Sequence, residues 1–142
     1  MAVRSAEAVW EGSLQEGNGT MKLGSGAFEG AYSFSSRFEE GAGANPEELI
    51  GAALAGCYSM ALGAGLGRAG FTPERIATTA KVHLTRDDSG LAIRKIELTT
   101  EAKIPDLDDA TFQQHAEDTR TGCIVARALT GVDIVHNATL IS

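Results

Sequence analysis

Cysteine and histidine are scarce in this sequence, which limits the chemistry that its side chains can carry. Two cysteines, Cys57 and Cys123, are too few for a disulfide framework or a zinc framework. The three histidines, His83, His115 and His136, do not pair with each other or with a cysteine at metal-ligand spacing. We therefore expect no metal and no cofactor. The cysteine count alone leaves both residues open as buried free thiols.

Basic residues are outnumbered, since 12 lysines and arginines accompany 19 aspartates and glutamates, for a formal net charge of −7. This balance argues against a partner such as nucleic acid or an anionic membrane surface. The first residues lack the apolar segment of a secretory signal, so we expect a cytoplasmic protein. A chain of 142 residues can bury a sizeable core, and we expect one domain over residues 1–142.

Charge is absent from Leu49 to Gly67, within the longest predicted helix. Asn45 is a favourable N-cap, Pro46 suits the first helical position, and Glu48 is spaced to close a capping box. Gly70 is expected to stop the helix in the left-handed conformation. A membrane span is one alternative, but glycine and alanine dominate this segment and large apolar residues are sparse. We expect a buried central helix whose small residues let another helix approach closely.

Cys57 lies in the middle of this helix, and its neighbours three, four and seven positions away are all apolar: Ile50, Ala53, Leu54, Met60, Ala61 and Ala64. An apolar wall by itself keeps a thiol protonated and inert. A reactive Cys57 therefore needs a cation, and one guanidinium at about 4 Å contributes on the order of 4 kcal/mol at an effective dielectric of about 20. The nearest cation upstream of the helix is Arg37, for which a solvated surface position is the ordinary alternative.

Two glutamates in the first turn of the helix face different directions. At about 100° per residue, Glu48 lies about 180° around the helix from Cys57, whereas Glu47 lies about 80° from it. Glu47 is therefore the better candidate to hold an arginine near the cysteine, although a first-turn acid also complements the helix dipole. Glu48 is better used for capping.

The remaining elements predict an α+β fold, because strands, the long helix, two strands, two helices and a strand follow one another without regular alternation. The first strands are expected to form an antiparallel meander with a hairpin turn at Asn18-Gly19. A bulge is expected near Arg94-Lys95, and Cys123 is expected to begin a short helical turn. The predicted bounds are strands Val3–Gly12, Thr20–Leu23, Ala27–Ser35, Ala77–Arg86, Leu91–Ile104 and Val132–Leu140, a helix capped by Asp106 or Asp108 that ends at about Thr121, and the turn Ile124–Leu129. The helix that ends at Thr121 is expected to bury a stripe of Phe112, Ala116 and Thr119.

Several stretches, and the spacing between them, resemble the OsmC (osmotically inducible protein C) family, to which the organic hydroperoxide resistance proteins are related. They are Arg37-Phe38-Glu39, Asn45-Pro-Glu-Glu-Leu-Ile-Gly-Ala-Ala, Cys57 with Ser59-Met-Ala-Leu62, Gly70-Phe-Thr-Pro73, and Gly122-Cys123 with Val125 and Ala128-Leu129. The resemblance extends from about Trp10 to Leu140 and favours the OsmC branch. Family members commonly carry Cys-Pro-Val-Ser where this chain has Cys123-Ile124-Val125-Ala126, a departure that bears on the geometry and mobility of Cys123.

The resemblance implies an OsmC-like fold, with antiparallel sheets around long central helices in an intertwined homodimer and active sites at the subunit interface. It implies a two-cysteine peroxidase that reduces organic hydroperoxides, and hydrogen peroxide less well. By position, Cys57 matches the peroxidatic cysteine, Cys123 the resolving cysteine, Arg37 the activating arginine and Glu47 its carboxylate partner. The oxidised form would be an intramolecular disulfide, re-reduced by a lipoyl-type or other small dithiol.

The residues alone leave two other functions open. One is a non-catalytic module whose apolar groove holds a small hydrophobic ligand, with both cysteines in the core. The other is a dimeric structural or stress-interaction protein without a ligand. Thiols that do not react with peroxide would favour either of these over the peroxidase.

Overall fold

The structure, a computed structural model, describes residues 2–141 and contains two compact units. The first unit ends at Leu49 and the second begins at Ile50, so the boundary falls inside the long helix. The α+β class is confirmed, because each unit combines one sheet with helical segments.

The first unit is built on a three-stranded antiparallel meander, as predicted, in the order β1-β2-β3. A short helix follows the third strand and leads to the loop before the long helix. The elements are β1 (Ala6–Glu11), β2 (Asn18–Leu23), β3 (Glu29–Tyr32) and α1 (Phe34–Phe38).

The predicted hairpin turn at Asn18-Gly19 is wrong, because both residues belong to β2 and pair with β1. The turn lies at residues 13–17 instead. A Cβ atom at position 19 would lie 2.6 Å from the ring of Tyr32 and 2.7 Å from the ring of Trp10. These two rings pack with centroids 5.3 Å apart. The glycine therefore makes room for aromatic side chains and does not form a turn.

The third strand is shorter than predicted, because α1 replaces its last residues. Ser33 is the N-cap of α1 and forms a capping box with Ser36. The Ser36 N–H donates to Ser33 Oγ at 3.2 Å, and the Ser33 N–H donates to Ser36 Oγ at 2.8 Å. These reciprocal bonds satisfy backbone donors at the helix start and place Arg37 in its last turn.

The long helix α2 (Pro46–Arg68) is confirmed, and Gly70 follows it with φ +94. The Asn45 side chain caps it by accepting the Glu48 N–H at 2.8 Å. The Glu48 carboxylate accepts from the Asn45 side-chain amide at 2.9 Å. This side-chain contact replaces the predicted reciprocal bond to the backbone of the cap residue.

The second unit contains a sheet in the order β4-β5-β6 and two helices between its last two strands. β4 and β5 are antiparallel, with the predicted bulge at Arg94, since His83 pairs with Lys95 but Leu84 pairs with Ile93. β6 runs parallel to β5, so this sheet is mixed, because the helical connection returns the chain to the same end of the sheet. The elements are β4 (Arg75–Asp87), β5 (Gly90–Lys103), α3 (Asp109–Gly122), α4 (Ile124–Ala128) and β6 (Asp133–Ile141).

One face of α2 supplies the centre of the second unit's core. Its fully buried residues recur every fourth position: Leu54, Tyr58, Leu62 and Leu66. They belong to one cluster with buried residues of β5 and with Phe112 and Ala116, which lie on the predicted stripe of α3. The core thus fixes α2, which carries Cys57, and α3, which leads directly into Cys123.

The opposite face of α2 is exposed in this chain although it is entirely apolar. Its exposed members are Ala52, Ala53, Gly56, Met60, Ala64 and Gly67, and Met60 is 80% exposed. Only 28% of the most apolar 18-residue stretch of the helix is buried. By length and composition alone α2 could cross a membrane. Its exposed apolar face is also typical of a surface that a second chain covers.

Candidate active site

Arg37 and Glu47, the predicted arginine and its predicted carboxylate, form an ion pair within the first unit. Nε and Nη2 of Arg37 both donate to Oε1 of Glu47, at 3.0 and 2.9 Å. The guanidinium carbon also lies 5.3 Å from the centroid of the Phe38 ring. Because α1 ends at Phe38 and α2 starts at Pro46, the pair connects the end of one helix to the first turn of the next.

The second carboxylate oxygen of Glu47 is buried and has no hydrogen-bond partner among residues 2–141. The Glu47 side chain is 10% exposed, whereas that of Arg37 is 38% exposed. A buried acceptor without a donor is costly. The pair therefore combines an accessible cation with one oxygen that can still accept a hydrogen bond.

Cys57 and Cys123 are free thiols whose sulfur atoms meet at the first turn of α4. The Val125 N–H donates to Sγ of Cys57 at 3.4 Å. The Ala126 N–H donates to Sγ of Cys123, also at 3.4 Å. Adjacent backbone donors thus hold two sulfurs that are far apart in the sequence, and these donors favour negative charge on sulfur.

Cys123 is positioned by two helices, since it is both the C-cap of α3 and the N-cap of α4. It is 3% exposed. Burial raises the pKa of Cys123, the Ala126 N–H partly offsets this effect, and the adjacent Cys57 sulfur raises the pKa further. Cys123 therefore stands as a protonated thiol beside Cys57 at neutral pH.

Ile124 occupies the position at which members of the family that the sequence resembles commonly carry proline. It is 80% exposed at the start of α4. The preceding residue, Cys123, has φ −66 and ψ 149, the extended conformation that a following proline also favours. The backbone at Cys123 thus has a proline-compatible geometry without the proline.

A hydrogen-bonded network close to the cysteines was missed, because its members are distant in sequence and each histidine occurs singly. The hydroxyl of Tyr58, the residue after Cys57, lies 3.1 Å from Nδ1 of His136, and Nε2 of His136 lies 3.0 Å from the Glu117 carboxylate. Arg120 donates to the same carboxylate and to the Ile134 carbonyl. Burial raises the pKa of Tyr58 to about 12. The network ties α2 and α3 to β6.

Comparison with known proteins finds a matching family and similar sequences. The family model described as OsmC-like protein matches residues 39–137. Peroxiredoxin OsmC from Escherichia coli (strain K12) is 46% identical over 127 residues, which are 89% of each chain. The same identity and coverage are found for Peroxiredoxin OsmC from Shigella flexneri.

Solved structures give the same fold at lower identity. An OsmC-like protein from Mycoplasma pneumoniae superposes with a TM-score of 0.77 at 16% identity, over 99% of both chains. The organic hydroperoxide resistance protein OhrB of Bacillus subtilis gives a TM-score of 0.68 at 21% identity, over 96% of this chain and 98% of its own. The family match, the 46% identity and the shared fold show that the chain belongs to the OsmC family.

Proposed function

We propose that this protein is a thiol-dependent peroxidase that reduces organic hydroperoxides, with Cys57 as the reacting thiol and Cys123 as the resolving thiol. The observation that carries the proposal is the meeting of the two sulfurs on neighbouring N–H groups of α4. Two cysteines that served only as core residues would not need their sulfurs placed on neighbouring backbone donors. The names of the relatives, peroxiredoxin and organic hydroperoxide resistance protein, support the same reaction class.

In the proposed first step, Arg37 stabilises the Cys57 thiolate and polarises the peroxide, and Glu47 orients Arg37. The Arg37–Glu47 ion pair supports this role because it fixes the guanidinium while leaving it partly accessible. The thiolate attacks the distal oxygen, the O–O bond breaks, and the alkoxide leaves as the alcohol after taking a proton. Cys57 becomes a sulfenic acid.

In the second step, the Cys123 sulfur attacks the Cys57 sulfenic acid, and a disulfide and water are formed. The protonated Cys123 thiol supplies the proton that the departing hydroxide takes. An external dithiol, lipoyl-type or another small dithiol, then restores both thiols. The exposed apolar neighbours of Cys57, which are Ala53, Met60 and Ala64, favour a hydroperoxide with a hydrocarbon group over hydrogen peroxide.

We further propose a cytoplasmic homodimer in which a second copy covers the exposed apolar face of α2. That face carries no charge from position 49 to position 67 and consists largely of glycine and alanine, which permit close helix approach. A second copy would bury it without burying a charge. The net charge of −7 agrees with the absence of nucleic acid or an anionic membrane among the proposed partners.

The experiment that tests the proposed function is intact-mass analysis of the reduced protein after one equivalent of cumene hydroperoxide, with thiol alkylation before and after. The proposal predicts a loss of about 2 Da and two thiols that no longer react, which is an intramolecular disulfide. A stable gain of about 16 Da on Cys57 would keep Cys57 as the reacting thiol but remove Cys123 as its resolving partner. Unchanged mass and thiols would reject the peroxidase and favour a non-catalytic dimer with structural cysteines.

A further inference from the structure

A cleft of about 530 Å³ lies in the second unit between the C-terminal half of α2 and α3. Small residues make up much of its lining, among them Ala61, Gly65 and Gly122. Cys123 also lines the cleft, whereas Cys57 does not. The cleft therefore gives a small molecule an approach to the Cys123 side of the cysteine pair.

Two side chains that can carry positive charge converge in this cleft over Gly65. A Cβ atom on Gly65 would lie 3.4 Å from Nδ1 of His115 and 3.8 Å from Nη2 of Arg68. Within the described residues 2–141, neither side chain has an ion-pair or side-chain hydrogen-bond partner. The one carboxylate of the lining, Asp118, accepts a hydrogen bond from Gln114 at 3.0 Å. Arg68 and His115 can thus bind a carboxylate that a ligand brings.

The burial of Cys123 indicates which sulfur of the disulfide a reductant attacks. In thiol–disulfide exchange the sulfur of lower pKa is the better leaving group. Burial raises the pKa of Cys123, so Cys123 is a poor leaving group. Attack on the Cys123 sulfur, with Cys57 leaving, postpones expulsion of the buried Cys123 sulfur to the second, intramolecular step. The lining of the cleft, which includes only this cysteine, points to the same sulfur.

We propose that the cleft binds the carboxylate end of a small dithiol at Arg68 and His115, and that the bound thiolate attacks Sγ of Cys123 in the Cys57–Cys123 disulfide. This inference rests on the proposed function, because it needs that disulfide. The attack forms a bond between the dithiol and Cys123, breaks the protein S–S bond and releases Cys57 as the thiolate. The second thiol of the reductant then loses its proton and attacks the reductant sulfur that is bonded to Cys123. It closes a cyclic disulfide, and Cys123 leaves and takes up a proton. Two electrons pass from the dithiol to the two cysteines.

The test compares two dithiols that differ in charge, dihydrolipoate and its neutral amide dihydrolipoamide. The protein is first oxidised to the disulfide with diamide, so that the peroxide step is not needed, and the rate of its reduction is followed at increasing dithiol concentration. Arg68→Gln should lower the second-order rate constant for dihydrolipoate about tenfold, the scale of one charge-assisted hydrogen bond, and that for dihydrolipoamide less than about twofold. Arg86→Gln, an exposed arginine on β4, is the control and should change neither.

A second pair of variants tests the space in the cleft. Gly65→Ala places a methyl group against His115 and should slow both dithiols. Gly131→Ala, at an exposed position outside the cleft and outside α2, meets nothing within 4 Å and should slow neither. Mixed-disulfide mapping with the monothiol 3-mercaptopropionate should locate the adduct on Cys123.

Three results would overturn the inference: an adduct on Cys57, equal losses for the acid and the amide in Arg68→Gln, or no loss in that variant. Unchanged rates in Arg68→Gln are also expected if a second copy of the chain fills the cleft. Failure of the proposed function is recognised separately, because hydroperoxide would then not form the disulfide that diamide forms. If diamide also forms no Cys57–Cys123 disulfide, both the proposed function and this inference are rejected.

Discussion

The backbone N–H of Val125 donates to Sγ of Cys57 at 3.4 Å, across the space between α4 and α2. The next N–H, that of Ala126, donates to Sγ of Cys123. The first turn of α4 therefore sets the positions of both sulfurs, although neither sulfur belongs to a residue inside that helix. A change in this turn should affect disulfide formation more than it affects the fold.

Proline substitutions in α4 test this relationship. Val125→Pro removes the N–H that Cys57 accepts and should slow disulfide formation, on the order of tenfold for one lost hydrogen bond to a charged sulfur. Ile124→Pro is the matched control, because Cys123 already has a proline-compatible conformation and proline suits the first helical position. The measurement is quenched-flow alkylation after stoichiometric cumene hydroperoxide. Equal rates in the two variants would show that the Val125 N–H does not position the Cys57 sulfur.

Arg37→Met tests the role of the ion pair with Glu47. Removing the guanidinium should slow the reaction of reduced protein with cumene hydroperoxide on the order of a hundredfold, a figure already reduced for the partial exposure of Arg37. Arg94→Met is the matched control, since Arg94 also forms an ion pair, with Asp87 at 2.8 Å. Stopped-flow measurement of the first oxidation gives the rate. An Arg37→Met rate equal to that of the control would remove Arg37 from the mechanism.

Gly56→Arg tests the proposed dimer. Gly56 lies on the exposed apolar face of α2, and a Cβ atom there meets nothing within 4 Å in the chain. A buried arginine in a helix–helix contact would lack a partner, so this variant should be monomeric. Gly131→Arg, at an exposed position that also meets nothing within 4 Å, should stay dimeric. Light scattering with gel filtration in detergent-free buffer measures the mass. A parent protein that is monomeric at about 14.8 kDa would reject the proposal.

Local capping signals predicted the helices well. The Asn45 cap of α2, the Asp108 cap of α3 and the stripe of Phe112, Ala116 and Thr119 all depend on residues within one or two turns. The hairpin turn predicted at Asn18-Gly19 was wrong because a glycine occurs both in tight turns and where a bulky side chain packs closely against the backbone. Only the tertiary structure shows that Trp10 and Tyr32 lie against Gly19.

Contacts between distant residues could not be predicted from single positions. The pairing of Glu47 with Arg37 is the exception, because these residues are only ten positions apart in the sequence. The helix angles and the nearby arginine were enough to predict it. The Val125 donor to Cys57 and the link from Tyr58 to His136 depend on how α2, α4 and β6 pack. The parallel pairing of β6 likewise depends on the path of the connection through α3 and α4.

The free energy of unfolding at acidic pH should depend on Glu117, which faces Arg120 and His136. Hydrogen bonds from Arg120 are the largest cause that lowers the pKa of Glu117, to about 2. The folded protein therefore binds fewer protons at this site than the unfolded chain, whose glutamate has a pKa near 4.3. The stabilisation by Glu117 is thus present above about pH 4.3 and is lost as the pH falls toward about 2.

Urea unfolding of the reduced parent and of Glu117→Gln at pH 7, 5 and 3 measures this effect. The parent should be the more stable at pH 7 and 5. The difference should shrink at pH 3, because the Glu117 carboxylate is then protonated in the unfolded chain while it stays largely ionised in the folded protein. Glu101→Gln, an exposed position on β5, should show no such change with pH. A difference between the parent and Glu117→Gln that is the same at all three pH values would mean that Glu117 acts by packing or neutral hydrogen bonding, and not through its charge.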